Sequence, residues 1–281
     1  MKFSIVTPNY NYGRFLKKAL ESVLAQADAP GAPEIEHIVI DGGSTDDSVQ
    51  ILKDWADFAA AQPAAKAGRY SFAYVSEPDD GQTDAINKGL RRATGDIVAW
   101  LNADEWYLPG KLALVAAAFA KHPDADFVYG EPLFVDTDGN PLRVKRDHPF
   151  SQFVLLFGGC IISSCAAFWR KRILDEGIFL DERYKVAMDY EYYSRICRKG
   201  FRFRFLPAVI AAFIWHDGNV SIRLKKTNGD ECHQIWLKYS PVPNFMKNRL
   251  CSMAGYYVAR GFRRLLMGLR LMLLPKETIN S

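Results

Sequence analysis

The chain has 281 residues, of which 49% are hydrophobic and 24% charged, and this balance is typical of a globular protein with a sizeable core. No uninterrupted apolar run reaches the roughly 18 residues that a membrane-spanning helix requires. The net charge is +4, but residues 222–281 contain 11 Lys and Arg against 3 Asp and Glu, and this asymmetry indicates a polyanionic partner for the C-terminal part.

The first half of the chain alternates short apolar strands with amphipathic helices, which is the pattern of βα units. Strands are predicted at 3–7, 35–40, 72–75 and 97–101, and helices at 12–26, after the capping residues 44–47, at 82–92 and at 111–121. Repeated βα units imply a mostly parallel, doubly wound sheet.

The second half has a different pattern, with strands predicted at 127–135 and 202–215 and a helix at 189–199. Helical patterning returns from about 244 to 274. We expect residues 1–221 to form one α/β domain and residues 222–281 to form a basic, amphipathic helical extension.

Four polar motifs follow the four predicted strands of the first half. They are TPNYNY at 7–12, DGGSTDDS at 41–48, SEPDDGQTDAINKG at 76–89 and NADE at 102–105. At the carboxyl ends of parallel strands these side chains would line the crevice in which open α/β sheets bind ligands. Each motif alone also fits an ordinary turn or the capped start of a helix.

The residue types in these motifs suit a phosphorylated nucleotide and a divalent cation. Asp41 can accept a hydrogen bond from a ring N–H or a ribose hydroxyl, and Asn102 with Asp104 offers oxygen ligands to a hard cation. Lys88 is suited to a diphosphate, although an i,i+4 salt bridge with Asp84 is the simpler account. No GxGxxG follows the first strand and no GxxxxGK[ST] occurs, which argues against nicotinamide-binding and P-loop sites.

The order of these motifs resembles the family 2 glycosyltransferases of GT-A fold, closely over residues 2–109 and more weakly to about 216. The resemblance implies an α/β, Rossmann-like fold of the nucleotide-diphospho-sugar transferases, with a mostly parallel central sheet and a C-terminal helical extension. It places a nucleotide-sugar-binding half at about 1–109 and an acceptor-binding half at about 110–221. It also implies a nucleotide-sugar donor, usually a UDP-sugar, with Mg²⁺ or Mn²⁺ on its diphosphate.

The resemblance also assigns donor-binding and metal-binding residues by position. Pro8 and Asp41 match residues that hold the nucleobase, and Asp104 matches the metal-binding Asp of the family's DxD element. Asn102 stands in place of the first Asp, so weaker metal binding is expected. The predicted donor-binding set is Thr7, Pro8, Asn9, Tyr10, Asp41, Asp80, Gln82, Asp84, Lys88, Asn102 and Ala103.

Two later motifs complete the predicted site. In AMDYEY at 187–192 the resemblance makes Asp189 the catalytic base, with Glu191 as the fallback, while Met188 replaces the first acidic residue of the usual pair. An ordinary helix N-cap is the alternative for Asp189. In WHDGNVS at 215–221, His216 resembles a late histidine that reaches the metal or the diphosphate, and a structural histidine is the alternative.

The basic tail and the cysteines bear on partners and location. Residues 249–274 interleave apolar and Arg side chains, which favours either an amphipathic helix on an anionic membrane or a helix packed on the core. No nucleic-acid-binding motif is recognisable, so nucleic acid is not an expected partner. Five cysteines without a CxxC pair, and no visible signal peptide, favour a cytoplasmic protein, peripheral at the inner face of the membrane if the tail binds lipid.

We therefore expect an inverting, metal-dependent glycosyltransferase that moves a sugar from a nucleotide sugar to a hydroxyl of a glycan or lipid-linked glycan. The resemblance implies surface-polysaccharide or lipopolysaccharide assembly as its context. A non-catalytic sugar-nucleotide or glycan-binding protein on the same scaffold is one alternative, kept open by Asn102 and Met188. A polyprenyl-phosphate sugar transferase is another. A processive synthase is disfavoured because QIWL at 234–237 is not the QxxRW signature.

Overall fold

The computed structural model of the chain describes residues 1–216, 219–242 and 249–273. The strands are β1 (Lys2–Asn9), β2 (Glu34–Asp41), β3 (Tyr70–Ser76), β4 (Ile97–Trp100), β5 (Glu105–Tyr107), β6 (Phe127–Val135), β7 (Pro141–Val144), β8 (Ala167–Arg170) and β9 (Phe203–Ile214). The helices are α1 (Gly13–Gln26), α2 (Ser48–Ala61), α3 (Pro63–Lys66), α4 (Gln82–Arg92), α5 (Lys111–Lys121), α6 (Gln152–Gly158), α7 (Arg172–Asp175), α8 (Met188–Arg198), α9 (Val220–Arg223), α10 (Lys225–Tyr239) and α11 (Arg249–Leu273).

All nine strands join one sheet in the order β3-β2-β1-β4-β8-β6-β9-β5, with β7 paired to β6. Strands β3, β2, β1 and β4 are parallel, as the sequence predicts. The second half of the sheet is mixed, because β8 runs antiparallel to both β4 and β6 while β9 is parallel to β6. The chain builds outward from β1 to β3 and then returns to β4 on the other side of β1. The carboxyl ends of β1 and β4 therefore flank the point where α/β sheets form a ligand crevice.

Alternation along the central strands sends side chains into two hydrophobic layers. Phe3 and Ile5 of β1 pack with α1, α2 and α5 on one face, whereas Val6 of the same strand belongs to the opposite layer. In β4, Val98 and Trp100 share that opposite layer, where the Trp100 ring stacks on Tyr193 at a centroid distance of 6.2 Å. Because both faces are covered, β1 and β4 are buried along almost their whole lengths, which explains their nearly continuous apolar sequences.

The structure adds elements that the sequence pattern does not reveal. Strands β5, β7 and β8 have three or four residues each, too few to show a period. Helix α10 has a mostly polar sequence and is held against α6 and α8 by the buried Ile235 and Trp236. The predicted helix at 244–274 corresponds to α11, with 244–248 and 274 outside the described residues. Within the described ranges, no helix is both long and apolar enough to cross a membrane.

Candidate active site

Asp41 is the centre of a hydrogen-bonded cluster at the carboxyl ends of β1, β2 and β3. The parallel register places Asn9 beside Asp41 and Asp41 beside Ser76. Asn9 Nδ2 donates to Asp41 Oδ1 at 2.6 Å, Ser76 Oγ donates to Oδ2 at 2.7 Å, and the Ser44 backbone N–H donates to Oδ2 at 3.0 Å. Burial alone would raise the pKa of Asp41, but these hydrogen bonds outweigh it and hold the pKa below its usual value. Asp41 is thus a fixed, ionised acceptor.

Asn9 offers a second acceptor in the same cluster. It is 4% exposed, and its Oδ1 atom has no hydrogen-bond partner among the described residues. A buried acceptor without a partner is costly unless a ligand supplies a donor. The structure therefore brings Asn9 and Asp41 together, as predicted, with acceptor atoms suited to ring N–H or ribose hydroxyl groups.

The other residues predicted from the first strand differ in orientation. The Thr7 side chain is buried, and its Oγ1 lies 3.0 Å from His37 Nε2 in the core, so the hydroxyl does not face the crevice. Pro8 is buried at the end of β1, while Tyr10 is 58% exposed beside the cluster. Only backbone atoms of Thr7 remain for the predicted donor contact.

The start of α4 contributes one side chain to the crevice and keeps two others, Asp84 and Lys88, in a local network. Gln82 Nε2 donates to Asn102 Oδ1 at 2.8 Å, which joins α4 to the end of β4. Lys88 Nζ lies 3.1 Å from Asp84 Oδ2, and the Asp80 backbone N–H donates to the same oxygen at 3.1 Å. The simpler account of Asp84 and Lys88, an i,i+4 salt bridge, is therefore what the structure shows.

The segment after β4 places three polar side chains in a tight turn around the buried Ala103. The Asn102 backbone N–H donates to Glu105 Oε2 at 2.9 Å, and the Glu105 backbone N–H returns a bond to the Asn102 carbonyl at 3.0 Å. Glu105 is 1% exposed, and burial, followed by the charge of Asp104, raises its pKa to about 8. The turn thereby directs Asn102 to Gln82 and Asp104 to His216, whereas Glu105 lies inside the fold.

Asp104 and His216, the two residues predicted to contact a metal or the diphosphate, lie next to each other at the edge of the crevice. His216 Nε2 lies 3.2 Å from Asp104 Oδ2, and both side chains are mostly buried. Burial raises the pKa of Asp104, and the contact with His216 opposes that rise only in part. A cavity of about 310 Å³ adjoins Asp104. It is lined by Arg14, Phe15, Lys18, Asp104, Trp106, Thr137 and Ile214.

The donor atoms at this position fit a hard cation that also binds phosphate. No cluster of three or more His, Cys, Asp or Glu side chains able to hold a metal occurs in the described part of the chain. Asp104 and His216 offer one carboxylate and one imidazole, and Mg²⁺ sites commonly use one or two protein carboxylates with substrate phosphates as the other ligands. Asp217 and Gly218 of the same motif lie outside the described residues.

Asp189 lies in the first turn of α8. Its Oδ1 accepts the Tyr190 backbone N–H at 2.7 Å, and Cys160 Sγ lies 3.7 Å from Oδ2. Burial raises the pKa of Asp189, and the Tyr190 N–H lowers it only in part. The charge of Asp189 also contributes to the raised pKa of Glu105, so the two carboxyl groups lie within electrostatic reach of each other. The side chain has the properties of a proton acceptor held near the crevice.

Glu191, the predicted fallback base, has a different role in the structure. Its side chain is fully buried and forms a salt bridge to Arg195 Nη2 at 2.9 Å and to Lys238 Nζ at 3.3 Å. The Tyr239 hydroxyl donates a further hydrogen bond to Oε1. A carboxylate with these partners stabilises the packing of α10 on α8, and we therefore do not retain Glu191 as a base.

Sequence reasoning missed Glu231 of α10, whose carboxylate accepts hydrogen bonds from the backbone N–H groups of residues 185–187, directly before α8. No sequence motif identifies this residue. The available signal is periodicity, because Glu231 lies one helical turn before the apolar Ile235 and so shares its buried face. A charged residue on the buried face of a helix indicates a specific partner.

Known proteins of similar sequence are named glycosyltransferases. The sequence profile described as glycosyl transferase family 2 matches residues 4–179. An uncharacterized glycosyltransferase of Mycobacterium tuberculosis (strain CDC 1551 / Oshkosh) is 33% identical over 196 residues, covering 68% of this chain and 67% of the relative. A PGL/p-HBAD biosynthesis glycosyltransferase of Mycobacterium bovis (strain BCG / Pasteur 1173P2) is 28% identical over 216 residues, covering 75% and 76% of the two chains. Against uncharacterized glycosyltransferases of Nostoc and Rickettsia conorii, the match spans only 33% and 37% of the relative's length.

Solved structures share the fold at low sequence identity. Staphylococcus aureus TarS (residues 1–349) in complex with UDP-GlcNAc superposes with a TM-score of 0.63 at 18% identity, covering 99% of this chain and 78% of that one. The mannosyltransferase PcManGT from Pyrobaculum calidifontis, in complex with GDP-Man and Mn²⁺, also gives a TM-score of 0.63 at 18% identity, covering 97% and 76%. These superpositions show the GT-A fold predicted from the motifs.

Proposed function

The chain belongs to glycosyl transferase family 2, and we propose that it transfers a sugar from a nucleotide-sugar donor, a UDP-sugar, to a hydroxyl of a glycan or lipid-linked glycan, with inversion at the anomeric carbon. The observation that carries this proposal is the placement of Asp189. Its carboxylate, whose pKa burial raises, is close enough to the turn at 102–105 for its charge to raise the pKa of Glu105.

The part of the proposed site that binds the nucleotide sugar offers hydrogen-bond acceptor atoms and one position for a cation. Asp41 and Asn9 Oδ1 would receive the base or ribose donors of the nucleotide. Asp104 and His216 would hold Mn²⁺ or Mg²⁺, which when bound neutralises the diphosphate and so improves it as a leaving group. Asn102 brings no charge, so the cation would depend on Asp104 and the diphosphate oxygens for its negative ligands.

The acceptor half depends on Asp189 as general base. The acceptor hydroxyl gives its proton to an Asp189 carboxylate oxygen while the hydroxyl oxygen forms a bond to the anomeric carbon. The bond from that carbon to the diphosphate oxygen breaks at the same time, and the nucleoside diphosphate leaves with the electron pair. Direct displacement inverts the anomeric centre and needs one catalytic carboxylate, which agrees with the structural role found for Glu191.

The test is sugar transfer across UDP-, GDP- and dTDP-sugars, with glycan, lipid-linked glycan and polyprenyl-phosphate acceptors, in Mn²⁺, Mg²⁺ or EDTA. We expect one UDP-sugar to be turned over in a metal-dependent reaction. Asp189→Asn should abolish transfer and retain nucleotide binding, whereas the exposed Asp175→Asn should behave as the wild type.

Three other outcomes would contradict parts of the proposal. Equal turnover by Asp189→Asn would remove Asp189 as base. Transfer to the bare lipid phosphate alone would make the protein a polyprenyl-phosphate sugar transferase. Nucleotide binding without transfer to any of these acceptors would favour a non-catalytic sugar-nucleotide-binding protein, the reading that Asn102 and Met188 keep open.

The proposal includes a peripheral position at the inner face of the cytoplasmic membrane, where a lipid-linked acceptor of polysaccharide or lipopolysaccharide assembly would be available. It is supported by α11, on which the apolar Tyr257, Val258 and Leu265 are 57–62% exposed. Arg260 and Arg264 are exposed on the same helix. An exposed apolar surface beside Arg side chains is complementary to anionic lipid.

A further inference from the structure

We infer that Glu231 of α10 is a positioning residue that holds the loop before α8 and thereby sets the place of the Asp189 carboxylate. The inference rests on the proposed role of Asp189 as base. Glu231 Oε1 accepts the Lys185 N–H at 2.8 Å, and Oε2 accepts the Val186 and Ala187 N–H groups at 3.0 and 2.8 Å. The side chain is only 7% exposed, so these charge-assisted hydrogen bonds are largely shielded from water.

These hydrogen bonds compensate for the lack of a side-chain cap at the start of α8. The residue at the N-cap of α8 is Ala187, and no side chain at that position caps the helix. A helix that begins at a buried position requires partners for its free N–H groups, and an anion near its N-terminus is also favoured by the helix dipole. Glu231, on another helix, accepts the N–H group of the N-cap residue Ala187 and places a negative charge at that end of α8.

A second connection holds α10 to α8 on the far side of Asp189. Lys238 Nζ and the Tyr239 hydroxyl, near the C-terminal end of α10, both contact the buried carboxylate of Glu191. Asp189 therefore lies between two anchored points of the sequence, namely residues 185–187, which Glu231 binds, and Glu191, which Lys238 and Tyr239 contact. The buried Ile235 and Trp236 fix α10 between these contacts.

The part of the fold that carries this arrangement differs from the nucleotide-binding half. The family profile matches residues 4–179, whereas Asp189 and Glu231 both follow that range. The Asp41 cluster and the Asp104–His216 pair share no hydrogen bond with Glu231 among those of the described residues. The loop at 185–187 also contacts the segment just before α4, where Lys185 Nζ donates to the Asp80 carbonyl at 3.2 Å. A change at Glu231 should therefore act on proton transfer and leave the Asp41 and Asp104–His216 contacts with the donor intact.

The experiment compares Glu231→Ala and Glu231→Gln with a matched control, Asp230→Asn, which removes a charge from the exposed neighbour on the same helix. Each full-length variant is assayed for kcat, for KM and for nucleotide affinity by calorimetry. Amide hydrogen exchange of residues 185–191 is measured in parallel. We expect Glu231→Ala to lower kcat on the order of 100-fold, because a small misplacement of a catalytic group has that effect, with nucleotide affinity unchanged and faster exchange of 185–191.

Glu231→Gln should lie between the wild type and Glu231→Ala. Its single carbonyl oxygen can accept two of the three N–H groups, but its NH₂ group cannot accept the third. Asp230→Asn should match the wild type in every measurement. A role confined to overall stability would instead lower the melting temperature and nucleotide affinity together, without a selective loss of kcat.

Two results would overturn the inference: exchange of residues 185–191 in Glu231→Ala equal to that of Asp230→Asn, or an unchanged kcat despite faster exchange. Failure of the proposed function has a different signature, namely a wild-type protein that binds nucleotide and transfers no sugar. In that case the exchange measurement still decides whether Glu231 holds the loop.

Discussion

His37 is a buried imidazole in β2, between Thr7 Oγ1 at 3.0 Å from its Nε2 and the Tyr70 hydroxyl at 3.1 Å from its Nδ1. Burial lowers its pKa to about 3, well below the usual value near 6.5. The folded protein therefore keeps His37 neutral in the range where the unfolded chain takes up a proton. This difference favours the unfolded state as pH falls below about 6.5.

We predict that replacing His37 by Gln reduces the loss of stability in mild acid. Above pH 6.5 His37 is neutral in both states and does not lower the free energy of unfolding. Below pH 6.5 only the unfolded chain takes up the proton, so the free energy of unfolding falls as pH falls toward 3. Between pH 7 and pH 5 the loss attributable to this residue is about 2 kcal/mol, at 1.36 kcal/mol per pH unit. Urea denaturation at both pH values checks this. An equal pH dependence in the variant and the wild type would contradict it.

Asp189 leads to a prediction about rate. Because burial raises its pKa, the carboxylate becomes protonated at a pH above the usual value of about 3.9 and then cannot accept a proton. We expect kcat to fall on the acid side with a midpoint above that value. The donor dissociation constant, measured over the same pH range, separates this loss from weakened donor binding. A midpoint at or below about 3.9 would contradict Asp189 as the titrating base.

At the scale of elements, the turn from α4 into β4 depends on a close approach of backbones at Gly95. Its N–H donates to Ser4 Oγ at 2.8 Å. A Cβ atom at Gly95 would lie 2.7 Å from Ser4 N and 2.8 Å from the Lys2 carbonyl oxygen, both on β1. Because these neighbours are backbone atoms of a central strand, they cannot move aside cheaply.

We predict that Gly95→Ala destabilises the fold by about 1–3 kcal/mol, the usual cost of overpacking, as measured by chemical denaturation. Gly229→Ala is the matched control, since nothing lies within 4 Å of a Cβ at that helical position. The control should stabilise by about 0.4–1 kcal/mol through helix propensity and a smaller entropy of the unfolded chain. Equal effects of the two changes would refute the close-approach argument.

Sequence patterns predict those strands and helices that have the same surroundings along their whole length. Strands β1 and β4 are buried on both faces, so their apolar runs identify them. The orientation of Thr7 was also accessible, because a period of two places it on the same face as Phe3 and Ile5. The motifs after parallel strands located Asp41 and Asp104 because topology alone brings those strand ends together.

Other features depend on contacts between distant segments and leave no local pattern. The antiparallel pairing of β8 with β4 and β6 joins short strands from separate parts of the chain. The partners of Glu191 include Lys238 and Tyr239, which are more than forty positions away. These contacts give Glu191 a role in packing, which we prefer to a role as base. They cannot be derived from the sequence without the tertiary structure.

At the scale of the molecule, the uneven charge leads to a prediction about membrane binding. We expect binding to vesicles containing phosphatidylserine to weaken roughly 30-fold in Arg260→Glu/Arg264→Glu, since each basic residue near an anionic surface contributes about 1 kcal/mol. The matched control is Lys225→Glu/Lys226→Glu, which makes the same charge change at exposed positions of α10. Vesicle co-sedimentation at low and high salt measures both variants. Equal weakening by the two pairs would indicate a non-specific charge effect.

The reactivity of a thiol near Asp189 depends on whether α10 is packed against the rest of the protein. Cys160 lies 3.7 Å from the Asp189 carboxylate, and Cys232 of α10 has a pKa raised to about 12 by burial and by the charges of Asp189 and Glu231. Thiols in that state react slowly with alkylating reagents, because the thiolate is the reactive form. If α10 detaches transiently, Cys232 becomes an ordinary solvent-exposed thiol. Its alkylation rate, followed by peptide mass mapping, thus measures how often the site opens without any knowledge of the substrate.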